Sequence, residues 1–529
     1  MSHTKISTYD STLRDGEQSE GISLSLEDKL RVAKRLDKFG IDYIEGGYPG
    51  SNPKDAAFFE KVRTMSFEHA KISAFGSTCK KGVKAKDDEQ LNRILKSGVT
   101  CVALVGKTWD KQVEYALQTT LDENLRMIED SVCYMKSQGV EVIFDAEHFF
   151  DGYKANADYA LACIRVAHKA GADSIDLCET NGGALPFEIE EVIKAVFVAI
   201  PNQKFGIHCH DDAGCAVANT LAAVRAGVTQ VQGTVNGFGE RVGNTDLLTV
   251  IADLELKMGY ETIGSENLRQ LTSVAQFVAE TCNRSVPNHH PYTGASAFAH
   301  KGGLHASAIA RFPEAYEHTN PELVGNSTRM VVSELAGKAS LVFKAASLGI
   351  NLDSNPLKTQ EIIDDIKCRE EQGYSYEVAD GSLAILLQTH LGNFEPHFTL
   401  ESFRVIVDDR EDTGARAKDA MSEATIKIHV ENQRFVATGE GTGPVGALDN
   451  ALRAAISTFY PEVSDIELVD FKVRILDENV GTDAITRVVI TSRDKHGSWG
   501  TVGISENIIE ASWNALVDSI DYGLMRMGK

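Results

Sequence analysis

The sequence predicts an α/β fold: a (β/α)8 TIM barrel, then a helical linker region, then a pseudo-repeated α+β C-terminal domain. Three observations lead there. Through the first 260 residues, short β-branched or apolar runs alternate with stretches of 3.6-residue period. The runs number eight, at 6–9, 43–45, 71–75, 101–105, 141–144, 174–177, 204–207 and 230–235. Beyond 394 the chain repeats itself.

Eight strand–helix units over about 250 residues are the signature of a closed barrel, with an open doubly wound sheet as the rival. The helical stretches fall at 26–39, 87–96, 121–138, 157–170, 187–199, 216–226 and 246–258. Several stop at a glycine suited to a left-handed C-cap: Gly40, Gly98, Gly139, Gly171 and Gly227. From about Cys282 the rhythm ends. Gly, His and Ala cluster over 294–305, helical patterns run to about Leu391, and Asn393-Phe-Glu-Pro-His reads as a linker. The expected division is a barrel at 1–280, helical linker subdomains at 281–393, and a C-terminal domain at 394–529.

In the last segment, Phe403-Arg-Val-Ile-Val-Asp-Asp parallels Phe471-Lys-Val-Arg-Ile-Leu-Asp. Each is followed by an alternating strand (424–430, 485–491), a Gly-rich turn (439–443, 497–501) and a helix (446–458, 507–523). Sheets of this kind must bury one face, which suits self-association or a small ligand.

Composition narrows the function. Hydrophobic residues at 43% and charged residues at 24% describe a globular chain and exclude disorder as the dominant state. With 53 Lys plus Arg against 76 Asp plus Glu, the net charge of −23 argues against a nucleic-acid binder but leaves room for a local anion site. Nine cysteines at irregular spacing, none in a C-x-x-C pair, read as reduced, buried thiols in a reducing compartment. Met-Ser-His-Thr-Lys carries no secretory apolar region, and no run approaches the ~20 residues of a membrane helix. A cytoplasmic protein with no membrane partner is expected.

Polar residues gather where barrel strands end, which is where barrel active sites lie. These are Arg14 and Asp15, Glu45, Asp145 with Glu147 and His148, Glu179 with Thr180, His208 to Asp212, and 236–244. His208 and His210, two apart on a strand, share a face. With a carboxylate, best supplied by Asp15, they make a divalent-metal site with open positions; the rival reading is two hydrogen-bonded mouth histidines. Arg14 is not expected to pair simply with Asp15, since adjacent side chains usually diverge. It is either a surface arginine or a guanidinium that stabilises an oxyanion. The stretch Gly237-Phe-Gly-Glu-Arg-Val-Gly-Asn244 lacks the G-K-[ST] of a phosphate loop and reads as a tight turn. So does 439–443, whose N–H groups could also face a carboxylate ligand. His300 and His305, in Ala299-His-Lys-Gly-Gly-Leu-His-Ala, are either structural or a glycine-flanked base reaching the mouth.

Taken together, Asp10-x-Thr-Leu-Arg-Asp-Gly-x-Gln, His208-x-His210 and Gly237-x-Gly-Glu-Arg-x-Gly-Asn244 resemble the 2-isopropylmalate synthase family of Claisen-type acyltransferases. That family belongs with the metal-dependent barrels that include 3-hydroxy-3-methylglutaryl-CoA lyase, and the resemblance spans essentially the whole chain. Within it, Glu45-Gly-Gly-Tyr-Pro-Gly-Ser-Asn-Pro-Lys-Asp55 resembles the branch that takes pyruvate. Tyr48 stands where tryptophan is commonest.

The resemblance implies Asp15, His208, His210 and Asn244 as ligands of a divalent metal (Mg2+, Mn2+ or Zn2+). It implies Arg14 on the keto carbonyl, Thr180 on the keto acid carboxylate, and Glu147 near the reacting carbons. It also implies His305 as base with Tyr316 beside it, contributed in related enzymes by the partner of a homodimer. His305 is followed here by Ala-Ser rather than Gln-Asp. The implied reaction joins pyruvate to acetyl-CoA and water, giving (R)-citramalate and CoA at the entry to threonine-independent isoleucine synthesis. Isoleucine is the implied inhibitor, bound by an allosteric and dimerisation domain at 394–529. Rival readings are an acceptor of 2-oxoisovalerate or 2-oxoglutarate, a 3-hydroxyacyl-CoA lyase, and an amino-acid sensor on a decayed barrel.

Overall fold

A computed structural model describes residues 4–301, 305, 308–309, 311–332, 337–352, 356–408, 421–431, 433–476 and 484–529. Gly302, Gly303, Ala306 and Ser307, singled out beside His305, lie outside them.

Eight parallel strands close into the expected barrel. They are β1 (Ser7–Asp10), β2 (Tyr43–Glu45), β3 (Lys71–Ser77), β4 (Cys101–Lys107), β5 (Glu141–Glu147), β6 (Ser174–Glu179), β7 (Phe205–Cys209) and β8 (Gln230–Gly233). Closure comes from β8 pairing with β1, where Asp10 faces Gly233. The strands read as near-continuous apolar runs because both faces are covered.

The helices are α1 (Leu26–Phe39), α2 (Pro53–Val62), α3 (Glu89–Lys96), α4 (Leu121–Ser137), α5 (Phe149–Lys169), α6 (Pro186–Ala199), α7 (Ala216–Arg225) and α8 (Leu247–Asp253). A capping box of Ser25 and Asp28 opens α1, and Gly40 at φ +95° closes it. Helix α2 was not anticipated, although Asn52 caps it and Pro53 fills its first turn. Helix α5 begins at Phe149 rather than 157 because it is two helical pieces joined at a bend, Asn156, with φ −154°.

Phe39, Phe58, Phe59, Phe144, Phe149 and Phe205 fill the space between barrel and helices. Each side chain of this size contributes ~1.5–3 kcal/mol when fully buried. The barrel interior is different: Tyr9, Ser73, Asp145, Asp176 and Gln232 are buried there and polar.

The described residues form two structural units, 1–298 with 319–327, and 299–318 with 328–529. The segment expected as one linker is therefore shared out by packing. Cys282, Tyr292 and Phe298 belong to the barrel's core. In the second unit, the helices Lys338–Ser347, Pro356–Glu371 and Asp380–Leu391 share one core with the C-terminal sheets, through Leu341, Ile362 and Leu387 with Ile426, Ile490 and Leu516.

The repeat is two three-stranded antiparallel sheets, each followed by a helix. One is Thr399–Asp408, Met421–Val430 and Gln433–Gly441, then Pro444–Ile456. The other is Glu467–Ile475, Thr486–Asp494 and Gly497–Ser505, then Ile508–Arg526. Of the expected Gly-rich turns, 439–441 and 497–501 are instead strand. A Cβ at Gly439 would collide with Ala451 N and Ala447 O, and one at Gly503 with Ala511 O. The glycines let each helix lie directly on its sheet.

All nine thiols are free, and most are buried. Cys133 and Cys368 are exposed and Cys215 half-buried, so the expectation of uniformly buried cysteines fails for these three. Among the described residues no helix is long and apolar enough to cross a membrane.

Candidate active site

A cavity of about 490 Å³ opens at the C-terminal ends of the barrel strands. Arg14, Asp15, Glu147, Thr180, His208 and His210 all line it. Six residues proposed from sequence thus share one concavity.

After β1 the chain turns on Ser11 O, which accepts from the backbone N–H of Arg14, Asp15 and Gly16. This tight turn sends both the Arg14 and Asp15 side chains inward. They do pair, Nη1 to Oδ2 at 3.3 Å, contrary to the expectation that neighbours diverge. Arg14 is no surface residue either. Its Nε donates to Glu45 Oε2 at 2.6 Å, and its guanidinium lies 4.1 Å from the Phe75 ring centroid. Burial opposes its charge, but Asp15 and Glu45 outweigh burial and hold it firmly cationic.

Asp15, His208 and His210 each present a ligand atom within 4.8 Å of the others. Asp15 Oδ2 and His208 Nε2 are 3.2 Å apart. Burial alone would raise the Asp15 carboxyl, yet Arg14 and the imidazoles hold it well below the usual carboxylate range. Burial and the neighbouring His208 lower His210 to about 3, so it stays neutral. A carboxylate and two imidazoles whose ligand atoms converge could hold a cation between them. That donor set suits a divalent first-row or hard cation with open positions.

Asn244 is buried against this set, bridged by backbone to His210. Its amide nitrogen faces the donors, at 2.9 Å from Asp15 Oδ2 and 3.2 Å from His208 Nε2. Its Oδ1 is buried without a partner among the described residues. A half-turn of the amide exchanges the two and points the orphaned oxygen at the donor set.

Glu147 pairs with Lys107 across the ends of β5 and β4, where the two residues are in register. Thr180 Oγ1 accepts from His148 N at 2.8 Å and steadies His148 in its left-handed conformation at φ +58°. The Thr180 hydroxyl hydrogen remains available to the cavity. Glu179 accepts from the N–H of Gly183 and Ala184 at 3.0 and 3.3 Å, and burial still raises it to about 7.

His305 and Tyr316 belong to the second unit, where their rings stack at 4.0 Å. Both are exposed. His300, also in that unit, has its Nε2 3.7 Å from Glu317.

Sequence reasoning missed Gln232, Asp176 and Lys107. Gln232 Oε1 accepts from His208 Nδ1 at 2.8 Å, and its Nε2 donates to Asp176 Oδ2 at 2.6 Å and Asp145 Oδ1 at 3.2 Å. Burial, and for Asp145 the adjacent Asp176 charge, push both carboxyls up. The signal was the alternation Gln230-Val-Gln232, which places amides inside a barrel strand.

The HMGL-like family model matches residues 5–278. A homocitrate synthase post-HMGL domain-like model matches 292–373, and the LeuA allosteric (dimerisation) domain matches 377–524. The (R)-citramalate synthase of Aquifex aeolicus is 50% identical over 522 residues, covering 99% of this chain and 98% of its own. That of Streptomyces coelicolor is 50% identical over 522 residues, covering 98% and 97%. A probable 2-isopropylmalate synthase of Methanopyrus kandleri is 31% identical over 524 residues, covering 98% of each.

Proposed function

The chain belongs to the HMGL-like family, within its 2-isopropylmalate synthase group, and on that premise we propose that it condenses pyruvate with acetyl-CoA and water to (R)-citramalate and CoA. It is an acyltransferase of isoleucine biosynthesis. The observation that carries the reading is one cavity in which a fixed guanidinium and an Asp/His/His donor set face each other.

Asp15, His208 and His210 would hold the cation, with Asn244 as a fourth ligand after its amide turns. When bound, a divalent cation (Mg2+, Mn2+ or Zn2+) supplies Lewis acidity at a 2-oxo acid carbonyl. Thr180, whose hydroxyl hydrogen is uncommitted, binds the keto acid carboxylate. Arg14, held by Glu45 and Phe75, stabilises the alkoxide that forms when the acetyl-CoA carbanion attacks the keto carbon. Glu147 lies beside the reacting carbons with its charge balanced by Lys107. Taking a proton from the acetyl methyl needs a positioned base. We assign it to His305, with Tyr316 stacked on it, contributed by the partner protomer of a homodimer. Water then splits the thioester and releases CoA.

We assign catalysis to 1–280, its connection to 281–393, and regulation by isoleucine to 394–529. The C-terminal sheets expose Val436, Val469, Val473 and Ile475, an apolar surface that suits a homodimer. The free thiols suit the cytoplasm.

The test is CoA thiol release from acetyl-CoA with added divalent metal, across pyruvate, 2-oxobutyrate, 2-oxoisovalerate and 2-oxoglutarate. Release should be fastest by far with pyruvate. Preference for 2-oxoisovalerate would keep the mechanism and overturn the acceptor. No release with any of the four would bring the lyase forward.

A further inference from the structure

We propose that Gln232 is a positioning residue that fixes the tautomer of His208. It would do so through a relay buried in the barrel: Ser174, Asp176, Gln232, His208. The inference rests on reading Asp15, His208 and His210 as a cation site.

The relay is anchored from below. Ser174 Oγ donates to Asp176 Oδ1 at 2.8 Å. Asp176 Oδ2 and Asp145 Oδ1 then sit 2.6 and 3.2 Å from Gln232 Nε2. A carboxamide has one oxygen and two N–H groups, and which end is which is settled by its surroundings. Turned the other way, Gln232 would press its oxygen against two carboxyl groups, and every contact would be relieved only with both carboxyls protonated and both donating to it. The observed orientation commits both amide hydrogens to the carboxyls, is satisfied whether or not either carboxyl is ionised, and leaves Oε1 facing His208.

Oε1 is 2.8 Å from His208 Nδ1 and can only accept. Nδ1 must carry the hydrogen. Its partner nitrogen, Nε2, is the one that faces Asp15 Oδ2 at 3.2 Å and the Asn244 amide at 3.2 Å. So Nδ1 keeps its hydrogen whether Nε2 holds a proton or a cation, and the lone pair at Nε2 is always aimed at the donor set. Gln232 and Asp176 are fully inaccessible, so the amide is out of reach of bulk solvent.

His210 offers the contrast. Its Nδ1 is buried with no partner among the described residues, so no such relay sets its tautomer. The two histidines of one motif are thus unequal: His208 is preset and His210 is not. A hydrogen-bond partner behind a ligating imidazole typically governs metal affinity by 10–100-fold.

Cobalt(II) is the probe, titrated into chelator-treated full-length protein and followed by visible absorption. Wild type should bind it. Gln232→Met keeps the volume and removes both ends of the amide. It should weaken Co2+ about 10–100-fold while the metal-free protein melts as a folded chain. Equal Co2+ affinity in Gln232→Met and wild type would overturn the relay and leave the cation site intact. Failure of wild type to bind at all would overturn the cation reading itself. A second measurement needs no change at Gln232. Two-bond 1H–15N spectra of histidine-labelled wild type, with His208 assigned by its loss in His208→Ala, should show a hydrogen on Nδ1. A hydrogen on Nε2 alone would refute the proposal.

Discussion

Replacing Lys29 with methionine tests whether the mouth is held in shape by ions buried beneath it. Lys29 is fully inaccessible on α1, with Nζ 2.6 Å from Asp55 Oδ1 and 3.2 Å from Glu17 Oε2. Methionine fills the space of the lysine stem, so the loss is chiefly that of the charge. Glu17 keeps Lys54 as a partner. Among the described residues, Asp55 keeps only the Tyr48 N–H, at 2.8 Å from Oδ2. Breaking a buried pair by removing one member costs ~3–5 kcal/mol when the other is stranded. With one donor remaining to Asp55, the lower figure applies, about 3 kcal/mol. At roughly 2 °C per kcal/mol for a unit this large, the barrel transition should fall by about 6 °C. The double variant Lys29→Met with Asp55→Asn removes the stranded charge and should recover most of the loss, a coupling that a calorimetric double-mutant cycle reads directly. Because Asp55 anchors Tyr48 at the cavity wall, KM for the keto acid should rise more than kcat falls. A transition within 2 °C of wild type for Lys29→Met, or strictly additive losses in the double variant, would show that the buried ions do not hold this loop.

His208→Ala should lose bound metal and activity together, as read by metal analysis and CoA release; full activity after exhaustive chelation would sink the cation reading. Ending the chain at Asn393 should abolish the inhibition by isoleucine proposed for the full chain, while the barrel's own calorimetric transition persists; inhibition of the shortened chain would place the effector elsewhere. The second unit should lose stability as pH rises from about 5 to 8. Burial raises Asp518 to about 7, so its folded form favours the proton; that contribution is full below the ordinary carboxyl range and fades through 7. His397, raised above its ordinary value because its contact with Asp521 outweighs burial, fades in the same direction. Melting curves of Asp518→Asn across this range should be flatter than those of wild type; an unchanged slope would acquit Asp518.

The barrel was legible because each strand repeats one physical requirement, burial on both faces, and each helix repeats another. Helix α2 escaped a periodicity search since Pro53–Val62 is short, yet its Asn52-Pro53 start is a capping signal that local reading can recover. His208, His210 and Asp15 were legible from alternation and strand ends. Arg14 came only through the family resemblance; its burial was not legible, because it follows from a backbone turn on Ser11 and from Phe75 and Glu45, residues remote in sequence. The Gly-rich stretches at 439–443 and 497–501 misled for a related reason. Glycine marks a turn when it relaxes the backbone and a strand when it admits a neighbour, and only the neighbour distinguishes them. Gln232 belongs to the same class: its meaning lies in three partners from β5, β6 and β7.

The barrel's own unit is discontinuous. After 298 the chain departs for twenty residues, returns for 319–327, and leaves for good. The returning piece is not decorative: Val324 is wholly buried, and its carbonyl accepts from Thr272 at 2.7 Å. On the ribosome, then, the catalytic half cannot be finished until residue 327 has emerged, by which time part of the other half is already outside. For the engineer, a graft of one relative's second unit onto another's barrel needs two splice points. A single cut would leave a nine-residue tenant behind in a foreign wall.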